Sequence, residues 1–272
     1  MNILCLGDVV GKPGRQAVKD LLDDLRQEYK IDFVIVNAEN TAGGSGLTPS
    51  IADQFLKIGI DVITLGDHVW DQKALEEYLD TTDQVIRPAN FPEGVPGKGW
   101  CFRTTSSGAK VGVINLLGRT FMRHTIKCPF KTLKDIVKEI QKETPIIIVD
   151  MHAEATSEKI AIGHFINGKV SAVVGTHTHV QTADETILAD GTAYITDLGM
   201  SGPHDSVIGQ KKEEIIQRFL TSMPIRFHVA QGDVRLMGVV IEVDESTGKA
   251  KKIVRFQKHA PERLSFSEED EK

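Results

Sequence analysis

Short apolar runs alternate with amphipathic segments along the first eighty residues, and this alternation constrains the fold more than any other feature. Three apolar runs have the length and composition of buried strands: 2–7, 32–37 and 61–66. Each is followed by a segment with the spacing of a helix that has one apolar face: 12–30, 50–59 and 72–80. A βαβαβα series predicts a sheet of parallel strands covered by helices.

The same alternation returns after a Pro/Gly-rich loop at 87–99. The later segments are predicted as strands 100–105 and 110–118, a helix near 131–142, strand 145–152, helix 156–167, strand 171–175 and a β-hairpin over 233–256. No linker divides this series. The sequence therefore predicts an α/β protein with a single domain over residues 1–260 and an acidic, disordered tail at 261–272.

Composition excludes several classes of protein. The net charge of −6 argues against a nucleic-acid binder that depends on a broad basic surface. The three cysteines have no metal-ligand spacing and form no even disulfide set, which is typical of a reducing compartment. No apolar stretch approaches the roughly 20 residues of a membrane span, and the N-terminus does not resemble a signal peptide. We therefore expect a cytoplasmic protein.

Polar side chains follow each of the five strands predicted to be buried. These residues are Asp8, then Glu39 with Asn40, then Asp67 with His68, then His152, and finally His177 with His179. Sites in open α/β sheets form outside the carboxyl ends of the strands, so we expect these side chains to converge. Because alternate strand residues share a face, His177 and His179 are also expected to point the same way.

Each of these residues has an ordinary structural explanation when it is considered alone. Asp8 could cap the next segment, Asn40 could shape a turn, and a His-x-His pair could be solvated. Their coincidence at one end of the sheet favours a metal site instead. Three carboxylates, an amide and several imidazoles exceed the needs of one ion, and a mixed N/O set suits Mn, Fe or Zn. Two metals about 3.5–4 Å apart commonly serve displacement at phosphorus.

Seven stretches of the chain resemble one known family. They are "GDVVGKPGR", "VNAENTAGGSGLT", "TLGDHVWD", "RPANFPEGVPGKG", "DMHAEATSEK", "VVGTHTHVQTADE" and "YITDLGMSGPHDSVIG". In this order they are similar to the calcineurin-like metallophosphoesterases, and specifically to the bacterial YmdB-like branch of cyclic-nucleotide phosphodiesterases. The resemblance runs from residue 7 to 209 and extends to about residue 257. The acidic tail lies outside it.

The resemblance implies a calcineurin-like fold with a central β-sandwich, βαβ units flanked by helices, and a metal site at the carboxyl ends of strands. It implies two metal ions, Fe or Mn in the first place and Zn as a further candidate. The first would be held by Asp8, Glu39, Asn40 and His179. Glu39 would bridge to the second, which Asp67, His152 and His177 would complete. His68 would be the proton donor and not a ligand.

Three positions depart from related patterns. Val10 stands where the superfamily usually has the histidine of an Asp-x-His motif. The bridging carboxylate is Glu39, with Asn40 beside it, where the superfamily usually has Asp. Both of these features occur in the YmdB-like branch. That branch commonly has Asn where this chain has Asp67, and this changes the charge expected at the second metal.

The activity implied by the resemblance is hydrolysis of a phosphodiester, with 2′,3′-cyclic nucleotides as the expected substrates. A hydroxide bridging the metals would attack phosphorus, and His68 would protonate the leaving ribose oxygen. Two alternatives remain open, namely a phosphomonoesterase or nucleotidase and a regulatory protein with a structural metal site. Arg119 and His204 are candidate substrate contacts, although a solvated or structural role is equally open for each. No membrane partner is expected, and homo-oligomerisation is left open.

Overall fold

A computed structural model describes residues 1–261, and within them the chain forms two β-sheets. The larger sheet contains β1 (Asn2–Leu6), β2 (Asp8–Val9), β3 (Phe33–Asn37), β4 (Val62–Thr64), β5 (Val85–Ile86), β12 (Met200–Pro203), β13 (Val234–Val243) and β14 (Ala250–His259). Its order is β2-β12-β13-β1-β3-β4-β5, and β14 pairs with β13. The neighbouring strands in the run β1-β3-β4-β5 pair in parallel.

The smaller sheet contains β6 (Trp100–Thr104), β7 (Lys110–Leu117), β8 (Ile147–His152), β9 (Ala172–Thr176), β10 (Thr186–Ile187) and β11 (Ala193–Ile195). Its order is β10-β11-β9-β8-β7-β6, and the neighbouring strands in the run β11-β9-β8-β7 pair in parallel. The helices of the described residues are α1 (Gly11–Tyr29), α2 (Pro49–Lys57), α3 (Ala74–Leu79), α4 (Pro129–Ile140), α5 (Thr156–Ile166) and α6 (Lys212–Thr221).

Three apolar clusters define the layers of the molecule. One lies between the sheets, where Ile3 and Phe33 of the larger sheet pack with Val113 and Ile148 of the smaller one. A second joins α1, α2 and α3 to the outer face of the larger sheet, and a third joins α4 and α5 to the smaller sheet. The result is a β-sandwich between two helical layers. The predicted α/β class and sandwich architecture are therefore confirmed.

Every strand and helix predicted from periodicity is present, with boundaries that differ by at most three residues. The elements that the sequence did not predict are β2, β5, β10, β11, β12 and α6. The strands among them have two to four residues, too few for a period of two to be visible. The helix has mostly exposed residues, but its apolar residues Ile215, Ile216, Phe219 and Leu220 do have helical spacing, a signal that the prediction missed. Apart from residue 261, the predicted tail lies outside the described residues.

One local prediction was wrong. Strand β9 ends at Thr176, so His177 and His179 do not occupy alternate positions of an extended strand. Both have positive φ, 97° and 63°, which places them in a turn. Positive φ is uncommon for residues other than glycine and occurs where the surrounding structure imposes it. The two imidazoles therefore diverge to two adjacent positions.

Candidate metal centre

Four of the predicted ligands form one compact group at the carboxyl ends of the strands. Glu39 and Asp67 follow strands of the larger sheet, whereas His152 and His177 come from the end of β8 and the turn after β9 in the smaller sheet. One potential ligand atom from each lies within 4.8 Å of the others. The group therefore joins the two sheets at one edge of the sandwich.

Short contacts fix the arrangement of these four side chains. His152 Nε2 lies 2.9 Å from Glu39 Oε1 and 3.2 Å from Asp67 Oδ1. His177 Nδ1 lies 3.1 Å from His152 Nε2 and 3.3 Å from Asp67 Oδ1. Two carboxylate oxygens and two ring nitrogens thus point at a common centre, a donor set that suits a transition metal.

The remaining predicted ligands lie beside this group. Asn40 Nδ2 is 3.3 Å from Glu39 Oε1 and 3.3 Å from His179 Nε2, and His179 Nε2 is 4.0 Å from Asp8 Oδ1. Asp8 is fully buried, and its Oδ1 has no hydrogen-bond partner among the described residues. A buried carboxylate oxygen without a partner is costly unless a cation satisfies it, so this orphaned atom fits a metal ligand.

The outer nitrogen of each imidazole contacts an acceptor. His152 Nδ1 is 2.9 Å from Thr176 Oγ1, which donates its own proton to Asp150 Oδ1 at 2.7 Å. Because a hydroxyl has one proton, Thr176 must accept from His152. His177 Nε2 lies 3.2 Å from a Glu154 carboxylate oxygen, and His179 Nδ1 lies 2.9 Å from the Ile208 carbonyl oxygen. The inner nitrogens are thereby left to ligate a metal.

A buried ion pair holds the turn that carries His177 and His179. Lys159 Nζ donates to Asp197 Oδ2 at 2.7 Å and to the Thr176 carbonyl oxygen at 2.9 Å. The same Asp197 oxygen accepts from the backbone and hydroxyl of Thr178 at 3.1 and 2.6 Å. Both charged side chains are fully buried. These bonds keep the residues of the turn in their positive-φ conformation.

The backbone at Gly66 passes directly against the ligand group. A Cβ atom at this position would lie 2.3 Å from Glu39 Oε2 and 2.3 Å from His152 Nε2. Glycine is thus the residue that leaves these two ligand atoms in place. Strand β4 ends two residues earlier at Thr64, so Asp67 and His68 belong to the loop that follows it.

The charged side chains of the centre shift one another's pKa values. Burial raises the pKa of Asp8, although His179 and His152 act against this. Burial also acts to raise the pKa values of Glu39 and Asp67, but hydrogen bonds and charge from His152 outweigh it and lower both. Burial opposes protonation of His152, yet the three carboxylates raise its pKa well above the usual range. The concentration of carboxylates favours a cation here.

His68 contacts different partners from the other histidines. Its Nδ1 lies 2.7 Å from Asp71 Oδ2 and 3.0 Å from Ser45 Oγ, while its backbone N–H donates to Glu39 Oε2 at 3.1 Å. His68 does not belong to the compact four-residue group. With Nδ1–H donating to a carboxylate, Nε2 is the ring nitrogen that remains for proton exchange.

The two predicted substrate contacts, Arg119 and His204, have hydrogen-bond partners outside the ligand group. The exposed Arg119 donates its backbone N–H to the Glu158 carboxylate at 3.0 Å. His204 Nδ1 lies 3.0 Å from the Gly202 carbonyl oxygen. Within residues 1–261, no hydrogen bond or ion pair joins either side chain to the predicted ligands. Arg123, which the sequence did not indicate, does reach them, with Nε 3.4 Å from Asp67 Oδ2.

Comparison with known proteins identifies the family. The sequence model of the family described as "YmdB-like protein" matches residues 4–256. The chain belongs to the YmdB-like family. The expected resemblance is therefore confirmed over nearly the whole described chain.

Similar proteins are found among both characterised sequences and solved structures. Over 256 residues the chain is 51% identical to a "2′,3′-cyclic-nucleotide 2′-phosphodiesterase" of Bacillus subtilis, covering 94% of this chain and 96% of that protein. A crystal structure described as a hypothetical protein from Thermus thermophilus has a TM-score of 0.89 and 39% identity, covering 96% and 100% of the two chains. A structure described as a novel phosphatase of Mycoplasma pneumoniae has a TM-score of 0.89 and 37% identity, covering 95% and 93%.

Proposed function

We propose that this protein is a metal-dependent phosphodiesterase that hydrolyses 2′,3′-cyclic nucleotides at a two-metal centre. Two observations support the proposal: the compact group of Glu39, Asp67, His152 and His177, and beside it Asn40, His179 and the unpartnered, buried Asp8 oxygen. Both sheets supply ligands. We therefore also propose that residues 1–260 act as one domain.

The two groups of ligands define the two proposed metal positions. Asp8, Asn40 and His179 would hold one ion, Asp67, His152 and His177 would hold the other, and Glu39 would belong to both. The mixed carboxylate and imidazole donors favour Fe or Mn, with Zn as a further candidate. When bound, such a pair of ions supplies an activated water and neutralises charge on the phosphoryl oxygens.

His68 is the proposed proton donor for the leaving group. Its Nδ1 is held 2.7 Å from Asp71, which orients the ring and leaves Nε2 to carry a proton toward the substrate. The Glu39 oxygen that accepts from the His68 backbone places this residue beside the metal centre without making its ring a ligand. Asp71 is a positioning residue in this arrangement.

The expectation of a cyclic diester rests on the Bacillus subtilis relative, whose name states that it acts on 2′,3′-cyclic nucleotides. A monoesterase is the second candidate, because the Mycoplasma pneumoniae structure is described as a phosphatase. The two activities need the same metal chemistry and differ in the leaving group. A ribose alkoxide leaves poorly and depends on a proton donor such as His68.

A substrate panel on metal-loaded protein tests the proposal. The diesterase should turn over a 2′,3′-cyclic nucleotide and bis-p-nitrophenyl phosphate much faster than p-nitrophenyl phosphate. Preference for the monoester would favour the phosphatase. The Asp8→Ala variant is the control, and equal background rates in the variant and the wild-type protein would favour a regulatory protein with a structural metal site.

A further inference from the structure

Arg123 reaches the candidate metal centre from the loop between β7 and α4. Its Nε lies 3.4 Å from Asp67 Oδ2, and its Nη2 lies 3.2 Å from Asp71 Oδ1 and 3.3 Å from His68 Nδ1. Nη2 also donates to the Asp67 carbonyl oxygen. One guanidinium therefore contacts a predicted metal ligand, the predicted proton donor and the carboxylate that orients it.

Neighbouring contacts hold Arg123 in this place. The next residue, His124, lies with Nε2 2.8 Å from the same Asp67 carbonyl oxygen. The His124 ring packs edge-on against Phe91 at 5.3 Å, and Phe91 packs in the same way against Trp70 at 5.5 Å. The loop is thus anchored on an aromatic cluster, although the Arg123 side chain remains 48% exposed.

The two oxygens of Asp67 have opposite environments. Oδ1 faces His152 and His177 in the ligand group, whereas Oδ2 faces the guanidinium of Arg123. Asp67 contributes a negative charge at the position where an anionic phosphate must bind. A guanidinium 3.4 Å away offsets that charge for an approaching anion, and it also competes with a metal ion for the carboxylate.

We propose that Arg123 is the electrostatic partner of Asp67. It keeps the mouth of the centre positive enough to bind phosphate, at the expense of some affinity for the metal beside it. This inference rests on the proposed function, because the charge serves the binding of an anionic phosphate ester. Arg123 is a specificity-determining residue that selects an anionic substrate through its effect on Asp67.

The proposal predicts two effects of opposite sign from one substitution. In metal-loaded Arg123→Gln, binding of inorganic phosphate measured by calorimetry should weaken about five- to tenfold, as expected for one partly exposed charge. In the same variant, the chelator concentration that removes half of the metal should rise. A variant with a damaged site would instead lose affinity for phosphate and for the metal. Arg123→Lys, which keeps the charge, should stay closer to the wild-type protein.

Lys127→Gln is the matched control. Lys127 lies in the same loop, is 50% exposed and is likewise paired with a carboxylate, Glu93 at 2.7 Å. Its replacement removes the same charge but should leave both measurements within about twofold, since screening weakens exposed charges that lie away from the centre.

Combining substitutions tests the pairing itself. Asp67→Asn should bind phosphate more tightly, and Asp67→Asn combined with Arg123→Gln should return toward the wild-type affinity because the net charge is restored. The proposal is overturned if Arg123→Gln behaves like Lys127→Gln, if it loses metal affinity as well as phosphate affinity, or if the double variant matches Asp67→Asn alone. If Asp67→Asn fails to retain metal, the comparison of the single Arg123 variants with Lys127→Gln still tests the proposal. Phosphate binding needs no turnover, so failure of the proposed activity would be seen separately in the substrate panel.

Discussion

Replacing Thr176 with valine tests how the buried hydrogen-bond relay behind His152 supports the centre. Valine has nearly the shape of threonine but lacks the hydroxyl that accepts from His152 Nδ1 at 2.9 Å and donates to Asp150 Oδ1 at 2.7 Å. In the variant the Nδ1 proton loses this acceptor, so the bond that holds the ring with Nε2 toward the ligands is gone. Loss of such an outer partner typically costs a factor of about 10 to 100 in metal affinity, or about 1.4 to 2.8 kcal/mol.

Burial strengthens this expectation. Thr176 and His152 are both fully buried, so water cannot replace the missing hydroxyl. Burial raises the pKa of Asp150 to about 6, although His152 and the donors around the carboxylate act to lower it. Asp150 is therefore an acceptor at neutral and alkaline pH, which is the direction the relay requires. Thr176→Ser should restore most of the metal affinity.

Thr64→Val is the control for this experiment. Thr64 is equally buried and also donates to Asp150, but within the described residues it makes no hydrogen bond to His152. Both valine variants should lower the free energy of unfolding of the metal-free protein, by about 1 to 3 kcal/mol in urea titrations. Only Thr176→Val should also release metal at a lower chelator concentration. Equal metal affinities in the two variants would refute the relay.

Three further predictions concern the proton donor, the glycine of the centre and a remote histidine. His68→Ala should keep its metal and lose about 10² to 10⁴ in rate on a 2′,3′-cyclic nucleotide, but much less on bis-p-nitrophenyl phosphate, whose leaving group needs no proton. His152→Ala should instead lose metal and fail on both, so metal loss from His68→Ala would contradict the assignment. Gly66→Ala should lose metal at least about tenfold more readily, because its Cβ would lie 2.3 Å from two ligand atoms; unchanged metal content would contradict that contact. Burial lowers the pKa of His204 below its ordinary value of 6.5. As the pH falls, His204 therefore takes up a proton in the unfolded chain before it does so in the folded protein. The contribution of this residue to the free energy of unfolding is complete above about pH 6.5 and is lost as the pH falls below that value. When the pH is lowered from about 7.5 to 5.5, the free energy of unfolding measured in urea titrations should therefore decrease less in His204→Gln than in the wild-type protein. Equal losses would refute the shift.

The sequence predicted the fold through the periodicity of its longer elements. Strands such as β8 and β9 read as continuous apolar runs because helices or the second sheet cover both of their faces. The convergence of polar residues at the strand ends followed from the parallel order alone. The strands that were missed, such as β2, are too short for a pattern to emerge.

Other features depend on contacts that no local pattern contains. The turn at His177 and His179 is imposed by the Lys159–Asp197 pair, which joins residues 38 positions apart. Arg123 lies 56 positions from Asp67 in a loop without periodicity, so nothing in the sequence marked it as part of the centre. The unpartnered oxygen of Asp8 is likewise visible only when its surroundings are known.

Metal content per chain tests the central claim most directly. Anaerobically purified, metal-replete wild-type protein should contain two equivalents of Fe, Mn or Zn in total, because Glu39 Oε1 contacts both Asn40 of one proposed ligand group and His152 of the other. Asp8→Ala, which lacks the unpartnered oxygen of one group, should contain about one equivalent by the same elemental analysis. A reproducible single equivalent in the wild-type protein under metal-replete conditions would contradict the two-metal account.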